Sequence, residues 1–149
     1  MTTSQSTAEV AALLDAYLIG LDDDFIDAGW AKRIFTEDVV IAFPPNARQE
    51  GIDGVPEFHR ISLEKFARHQ HMGSPAVVEV DGDQAALRAN VIATHVLHRP
   101  ADAPEDAPAP VFQAGTFVKG EARHTPEGWR LSALSFSVVW TNGTPPATR

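Results

Sequence analysis

The sequence predicts an α+β domain in which helices come first and pack on one face of a strongly bent antiparallel sheet. Three observations predict it. Apolar residues recur every three or four positions near the N-terminus, as on one face of a helix. After Ala76 the period changes to two, as in half-buried strands. Between two of those alternating runs lies Asp81-Gly82, a strong hairpin signal.

Val10, Leu13, Leu14, Tyr17, Leu18 and Leu21 mark an amphipathic helix starting near Thr7. The acidic run Asp22-Asp23-Asp24 follows, then a short helical stretch through Trp30, Ile34 and Phe35. Thr36-Glu37-Asp38 separates it from Val39 to Phe43, a β-branched run ended by Pro44-Pro45 and read as a short strand. A loop through Gly51 and Gly54 leads to Pro56, a favoured early helix residue, and to a third helix with Phe58, Ile61 and Phe66 on one face. Val78 and Val80 alternate in the first strand of the hairpin. In the second, Leu87, Val91, His95 and Leu97 share one parity. Arg99 to Pro110 carries four prolines among acidic residues and reads as an exposed loop. Phe112 to Lys119 and Trp129 to Trp140 form two more strands, the last with Leu134, Phe136, Val138 and Trp140 on one apolar face. Residues 141–149 are a polar tail, so the expectation is a single domain spanning 1–149 with its core at about 8–140.

At 149 residues with a net charge of -8 and no cysteine, the chain excludes several classes of function. Disulfide bracing, thiol catalysis and cysteine-ligated zinc are impossible. The negative charge, uninterrupted by a basic cluster, argues against nucleic acid as a partner. No apolar run reaches the length of a bilayer span, and Met1 to Ser6 lacks the basic start and apolar core of a secretory signal, so the expectation is a cytoplasmic protein off the membrane. There is no Gly-x-Ser-x-Gly elbow and no phosphate-binding glycine loop.

What remains is acid and base chemistry. His71 lies in Arg68-His69-Gln70-His71-Met72-Gly73, just before a strand, and His95 lies on the apolar parity of the next one. A turn at Asp81-Gly82 would bring both imidazoles toward one sheet surface, and imidazole exchanges protons near neutral pH. The competing reading makes His95 a hydrogen-bonded core residue and His71 a loop residue capping backbone groups. His69, His71 and His95 together could form a three-histidine zinc site, but the pattern shows no supporting carboxylate arrangement, and neither metal nor cofactor is expected. His59, His98 and His124 are expected to face solvent. One carboxylate of the acidic run is expected to turn inward, since buried unpaired carboxylates are costly. Phe43, Phe58, Phe66, Phe117, Phe136 and Trp140, with Tyr17, are the candidates to line a site for a flat hydrophobic ligand, although core packing explains each more simply.

The order of these pieces resembles the SnoaL-like group of the nuclear transport factor 2-like superfamily, which includes scytalone dehydratase. The segments that carry the resemblance are Leu21-Asp22, Phe35-Thr36-Glu37-Asp38-Val39, Gln70-His71-Met72-Gly73, Val80-Asp81-Gly82-Asp83-Gln84-Ala85, Gly128-Trp129-Arg130-Leu131 and Trp140. It implies a cone-shaped domain whose sheet wraps around a deep apolar cavity, and a homodimer formed across the open sheet face. It also implies that His71 and His95 are the two active-site histidines, and that an aspartate at the end of the first helix, Asp22 or Asp24, pairs with the first of them. Other parts of the family's machinery are missing. Phe43 stands where the dehydratase places a tyrosine and the ketosteroid isomerases a base. The last strand offers Ser132, Ser135 and Ser137 where a SnoaL-type cyclase has an aspartate. The resemblance thus implies a cofactor-independent dehydratase, isomerase or cyclase acting on a small hydrophobic oxygenated molecule such as a polyketide-like or aromatic metabolite. The alternative is a noncatalytic binding or dimerisation module with the same fold.

Overall fold

A computed structural model describes residues 2–23 and 25–146; Met1, Asp24 and residues 147–149, the end of the expected polar tail, lie outside the described residues. The first helix, α1 (Thr3–Asp22), begins earlier than its apolar stripe indicates. A capping box extends it: the Thr2 hydroxyl accepts the Gln5 N–H at 3.1 Å and the Gln5 side chain accepts the Thr2 N–H at 2.8 Å. Val10, Leu14, Tyr17, Leu18 and Leu21 form its buried stripe, as the spacing predicts. Asp27 opens α2 (Ala28–Ile34) by accepting the Trp30 N–H at 2.8 Å. The Trp30 indole lies so close to Gly20 that a Cβ there would sit 1.9 Å from Nε1. Only glycine allows that corner.

β1 (Phe35–Phe43) turns through a cis Pro44-Pro45 peptide into β2 (Ala47–Glu50), a strand where the sequence suggests only loop. In α3 (Val55–Leu63), Pro56 sits in the first turn, but the buried residues are Val55 and His59. Ile61 is half exposed at 50%, so the expected Phe58–Ile61–Phe66 face is not the packed one. Five strands complete the chain: β3 (Arg68–Gly73), β4 (Val77–Asp81), β5 (Gln84–Val96), β6 (Val111–Thr125) and β7 (Gly128–Asn142).

The curved sheet has the order β2-β1-β7-β6-β5-β3, with β4 also paired to β5. β1 runs parallel to β7, so the sheet is mixed rather than wholly antiparallel. Those two strands are far apart in sequence, and no hairpin dictates their relative direction. The free edge of β5 is shared: β3 covers Val91 to Val96 and β4 covers Gln84 to Arg88. At the break, the Ser74 N–H donates to the Asn90 carbonyl at 2.8 Å and the Asn90 N–H donates to Ser74 Oγ at 2.9 Å. Ala85, Leu87, Ala89 and Val91 alternate inward along β5, and the helices cover that inner face through Val10, Leu14, Tyr17 and Leu18. The residues from Arg99 to Pro110 form the expected irregular loop between β5 and β6. No helix among the described residues is long and apolar enough to cross a membrane.

Candidate active site

The site is built where the end of α1 overhangs the β3–β5 edge. Residues two apart on a strand share a face, so β3 presents His69 and His71 together. Its register sets His69 opposite His95 and His71 opposite Ala93. The pairing of β3 with β5, rather than the Asp81-Gly82 hairpin, therefore brings the histidines together.

Asp22 joins them. Its Oδ1 accepts a hydrogen bond from His71 Nδ1 at 2.8 Å and a second from His69 Nδ1 at 3.0 Å, while Oδ2 accepts the His71 backbone N–H at 2.7 Å. His95 donates from Nδ1 to the Phe112 carbonyl at 3.1 Å. Each acceptor selects the Nδ1–H tautomer, which leaves the Nε2 lone pair of all three rings without a partner among the described residues. The His71 and His95 rings stand 6.0 Å apart and nearly perpendicular. Phe66 lies 4.2 Å from His95, centroid to centroid. On the row of His71 the neighbouring strands carry Ala93 and Ala114, both only partly buried.

The electrostatics follow from this geometry. Burial lowers the affinity of His71 for a second proton, and the Asp22 carboxylate only partly offsets it. Burial likewise lowers His95, against the Phe112 carbonyl. Burial alone would raise the Asp22 carboxyl, but the His71 backbone N–H and the two imidazoles outweigh it and hold the group below the usual carboxylate range. At neutral pH the arrangement is an uncharged His71 imidazole on a carboxylate that His69 also binds, with the His95 imidazole beside them. One carboxylate oxygen of Asp22 and one ring nitrogen from each of His69 and His71 lie within 4.8 Å of one another, as metal ligands would. The same carboxylate binds the Nδ1 atoms of both rings, as a proton-handling cluster requires.

The remaining sequence candidates divide. Asp22 is the inward carboxylate; Asp23 is exposed, and Asp24 lies outside the described residues. Phe43 stacks on Phe136 at 4.5 Å and tilts against Phe58 at 5.9 Å, forming one aromatic group on the inner face. Tyr17 is fully buried, with its hydroxyl on His59 Nε2 at 2.7 Å. His59 is only 5% exposed, which corrects the expectation that it faces solvent; His98 and His124 do face it. Phe117 and Trp140 also require correction, because they lie on the opposite face of the sheet. Phe117 pairs with Asn90 and Ser137 on the outer parity. In β7 the extra residue Val139 breaks the alternation, so Val138 pairs with Thr116 but Trp140 swings out over Gly115. A Cβ on Gly115 would lie 2.1 Å from the indole Nε1. The sequence offers His69 only as a metal ligand, and its bond to Asp22 is a finding of the fold; its one sequence signal is the shared parity with His71.

Beside Asp22 a cleft of about 250 Å³ opens between the end of α1 and α3, lined by Leu21, Ile26, Arg60, Leu63, Glu64 and His69. A wider groove of about 1310 Å³, past Lys32, Asp53, Arg123 and Glu127, is remote from Asp22, His69, His71 and His95.

The fold agrees with what the chain matches. Residues 2–135 fit the family described as the SnoaL-like domain. The chain belongs to the SnoaL-like domain family. Its structural relatives within the nuclear transport factor 2-like fold include a superfamily protein of Salmonella enterica serovar Typhimurium, at 18% identity and TM-score 0.76 over 99% of this chain and 95% of that one. A candidate scytalone dehydratase of Novosphingobium aromaticivorans aligns at 18% identity and TM-score 0.74, over 99% and 94%. The hexachlorocyclohexane dehydrochlorinase LinA-type3 of Novosphingobium barchaimii aligns at 16% and 0.74, over 92% and 90%. A search of curated proteins finds no match.

Proposed function

We propose that this SnoaL-like protein is a cofactor-independent lyase that eliminates a small leaving group from a hydrophobic, oxygenated molecule. The observation that carries the proposal is the Asp22–His71 pair: a carboxylate fixes Nδ1–H and leaves Nε2 as an oriented base. His71 Nε2 would take a proton from carbon, the carbon–carbon double bond would form, and the departing oxygen would receive a proton from His95. Because Nδ1 of His95 serves the Phe112 carbonyl, that donation requires the imidazolium form. With both rings shifted below the ordinary histidine value, kcat/KM should follow a bell with its maximum on the acid side of pH 6.5. Two structural relatives, the dehydrochlorinase and the candidate scytalone dehydratase, carry names of elimination chemistry and support a lyase over an isomerase or a cyclase. The half-open alanine row beside His71, with Phe66 next to His95, supports an apolar substrate cavity at this edge.

The test is a panel of β-hydroxy ketones and polyketide mimics assayed with the unaltered chain, His71→Ala and His95→Ala. Turnover that both substitutions abolish supports the assignment, and turnover that survives them together rejects it. Ligands that raise the melting temperature with no turnover at any pH would instead establish a binding module.

Assembly as a homodimer across the open face forms part of the same proposal. Met72, Ile92 and Trp140 lie on one cross-strand row of that face, exposed at 66%, 44% and 43%. Sedimentation of Trp140→Ser against the unaltered chain tests it; a monomer in both refutes it.

A further inference from the structure

Asp22 serves two histidines through a single oxygen, and a single base needs only one of them. His69 is the other partner, and its surroundings differ from those of His71. It lines the cleft between α1 and α3 together with Arg60 and Glu64, whereas His71 faces His95. Their Nδ1 atoms converge on Oδ1, while the two rings, 5.8 Å apart and inclined at 60°, diverge from it. One carboxylate oxygen thus joins a cleft-lining imidazole to the one beside His95.

The geometry points to His69 as a positioning residue that sets the basicity of His71 through Asp22. This inference rests on the reading of His71 as the base. Two consequences follow from the shared oxygen. The His69 N–H shares Oδ1 with the His71 ring, while the His71 backbone N–H on Oδ2 keeps the carboxylate seated whether or not His69 binds it. The His69 N–H also competes for the negative charge that would stabilise a protonated His71, which keeps that ring a free base to lower pH. The charged and titratable groups around His69 and His71 are few: Asp22 from α1, His59 and Arg60 from α3, Glu64 just after it, and His95 across from them on β5. Asp22 is the only one of them to which the His69 ring hydrogen-bonds among the described residues.

Three substitutions separate the hydrogen bond from simple bulk. His69→Leu removes the donor and fills the space. His69→Gln places its amide near the Nε2 position, so it also lacks the donor but stays polar should leucine misfold. His69→Asn places an N–H close to the original Nδ1 and should restore the bond without a titratable ring. The measurement is long-range proton–nitrogen NMR of the imidazoles in the full chain, without substrate, followed from pH 4 to 8. In His69→Leu and His69→Gln the His71 midpoint should rise by about 0.5 to 1 pH unit, an order of magnitude set by a lost neighbouring interaction. In His69→Asn it should stay within about 0.3 of the unaltered chain. An unmoved His71 midpoint in the leucine and glutamine variants, or an asparagine variant that shifts as far as they do, overturns the inference. The base assignment fails in a different way: the His71 midpoint shifts as described, but the acid limb of kcat/KM does not move with it.

Discussion

Helix α1 feeds two histidine networks, and they differ in one atom. Tyr17 reaches His59, while Asp22, little more than one turn further on, reaches His69 and His71. In the first network both ring nitrogens are used: His59 Nδ1 donates to the Val55 carbonyl at 2.9 Å and Nε2 accepts the Tyr17 hydroxyl. Trp30, Phe58 and Tyr17 pack around that ring, leaving no lone pair to offer. In the second, Nδ1 is anchored and Nε2 is left over. Both networks are largely buried and both lower the affinity of imidazole for a proton. Burial and a depressed pKa therefore do not separate His71 from His59. The unspent nitrogen does.

Breaking the two networks separately gives the largest expected contrast. His71→Ala should reduce kcat/KM by about 10²- to 10⁴-fold, equivalent to about 3 to 5 kcal/mol of barrier. Asp22→Asn should also lose activity, since an amide can turn its NH₂ toward Nδ1 and reverse the tautomer. His59→Leu should leave the activity of the folded fraction within about twofold while lowering the melting temperature. Steady-state rates normalised to folded protein decide it. If His59→Leu cost as much activity as His71→Ala, the division between the two networks would collapse.

Acid pH should sharpen the contrast further. Burial carries the His59 ring from the ordinary 6.5 down to about 4. Between those values the unfolded chain binds a proton that the folded chain refuses, so stability rises with pH across that window. It is complete above about pH 6.5 and falls by about 3 kcal/mol as pH drops toward 4. His71 and His95, also lowered, contribute with the same sign. The depressed Asp22 carboxyl keeps its full contribution above its ordinary value of 3.8 and begins to lose it only below that, where the unfolded chain takes up the proton first. Urea unfolding at pH 7, 6 and 5 should show the loss, and His59→Leu should flatten much of it. An equal slope in that variant would show that the acid sensitivity lies elsewhere.

The parts of the fold that were legible in sequence are those whose signal is local. The α1 stripe and the β4–β5 turn, with Gly82 at φ 61°, needed only neighbours along the chain. The strand β3 did not announce itself, because Arg-His-Gln-His-Met-Gly contains no β-branched residue and its pairing partner is supplied by β5. The parallel β1–β7 pair and the bulge that turns Trp140 outward are likewise settled by tertiary contacts. At the site, resemblance to the family pointed to His71, His95 and an aspartate of the acidic run, and the structure joins His71 to Asp22. It could not point to His69 or seal His59, because both depend on what α1 places opposite them. Spacing shows which face a histidine occupies; only the fold shows which of its nitrogens is left free.

The smallest effect concerns a single hydroxyl. Tyr17 was a candidate to touch substrate, yet it is 0% exposed and its oxygen is spent on His59. Burial holds its phenol well above the ordinary value, so it stays a neutral donor throughout the working range. Tyr17→Phe keeps the ring contacts with Trp30, Phe35 and Phe136 and removes only that donor. The His59 Nε2 lone pair is then stranded where water does not reach, at a cost of about 1 to 2 kcal/mol, with turnover unchanged. In a His59→Leu background the same substitution should be neutral or slightly stabilising, because there the hydroxyl itself is the unpaired group. Denaturant melts of the four proteins give the coupling directly. Equal costs in both backgrounds would mean that packing, rather than the hydrogen bond, holds the Tyr17–His59 network together, and the distinction between a spent and an unspent nitrogen would lose its structural half.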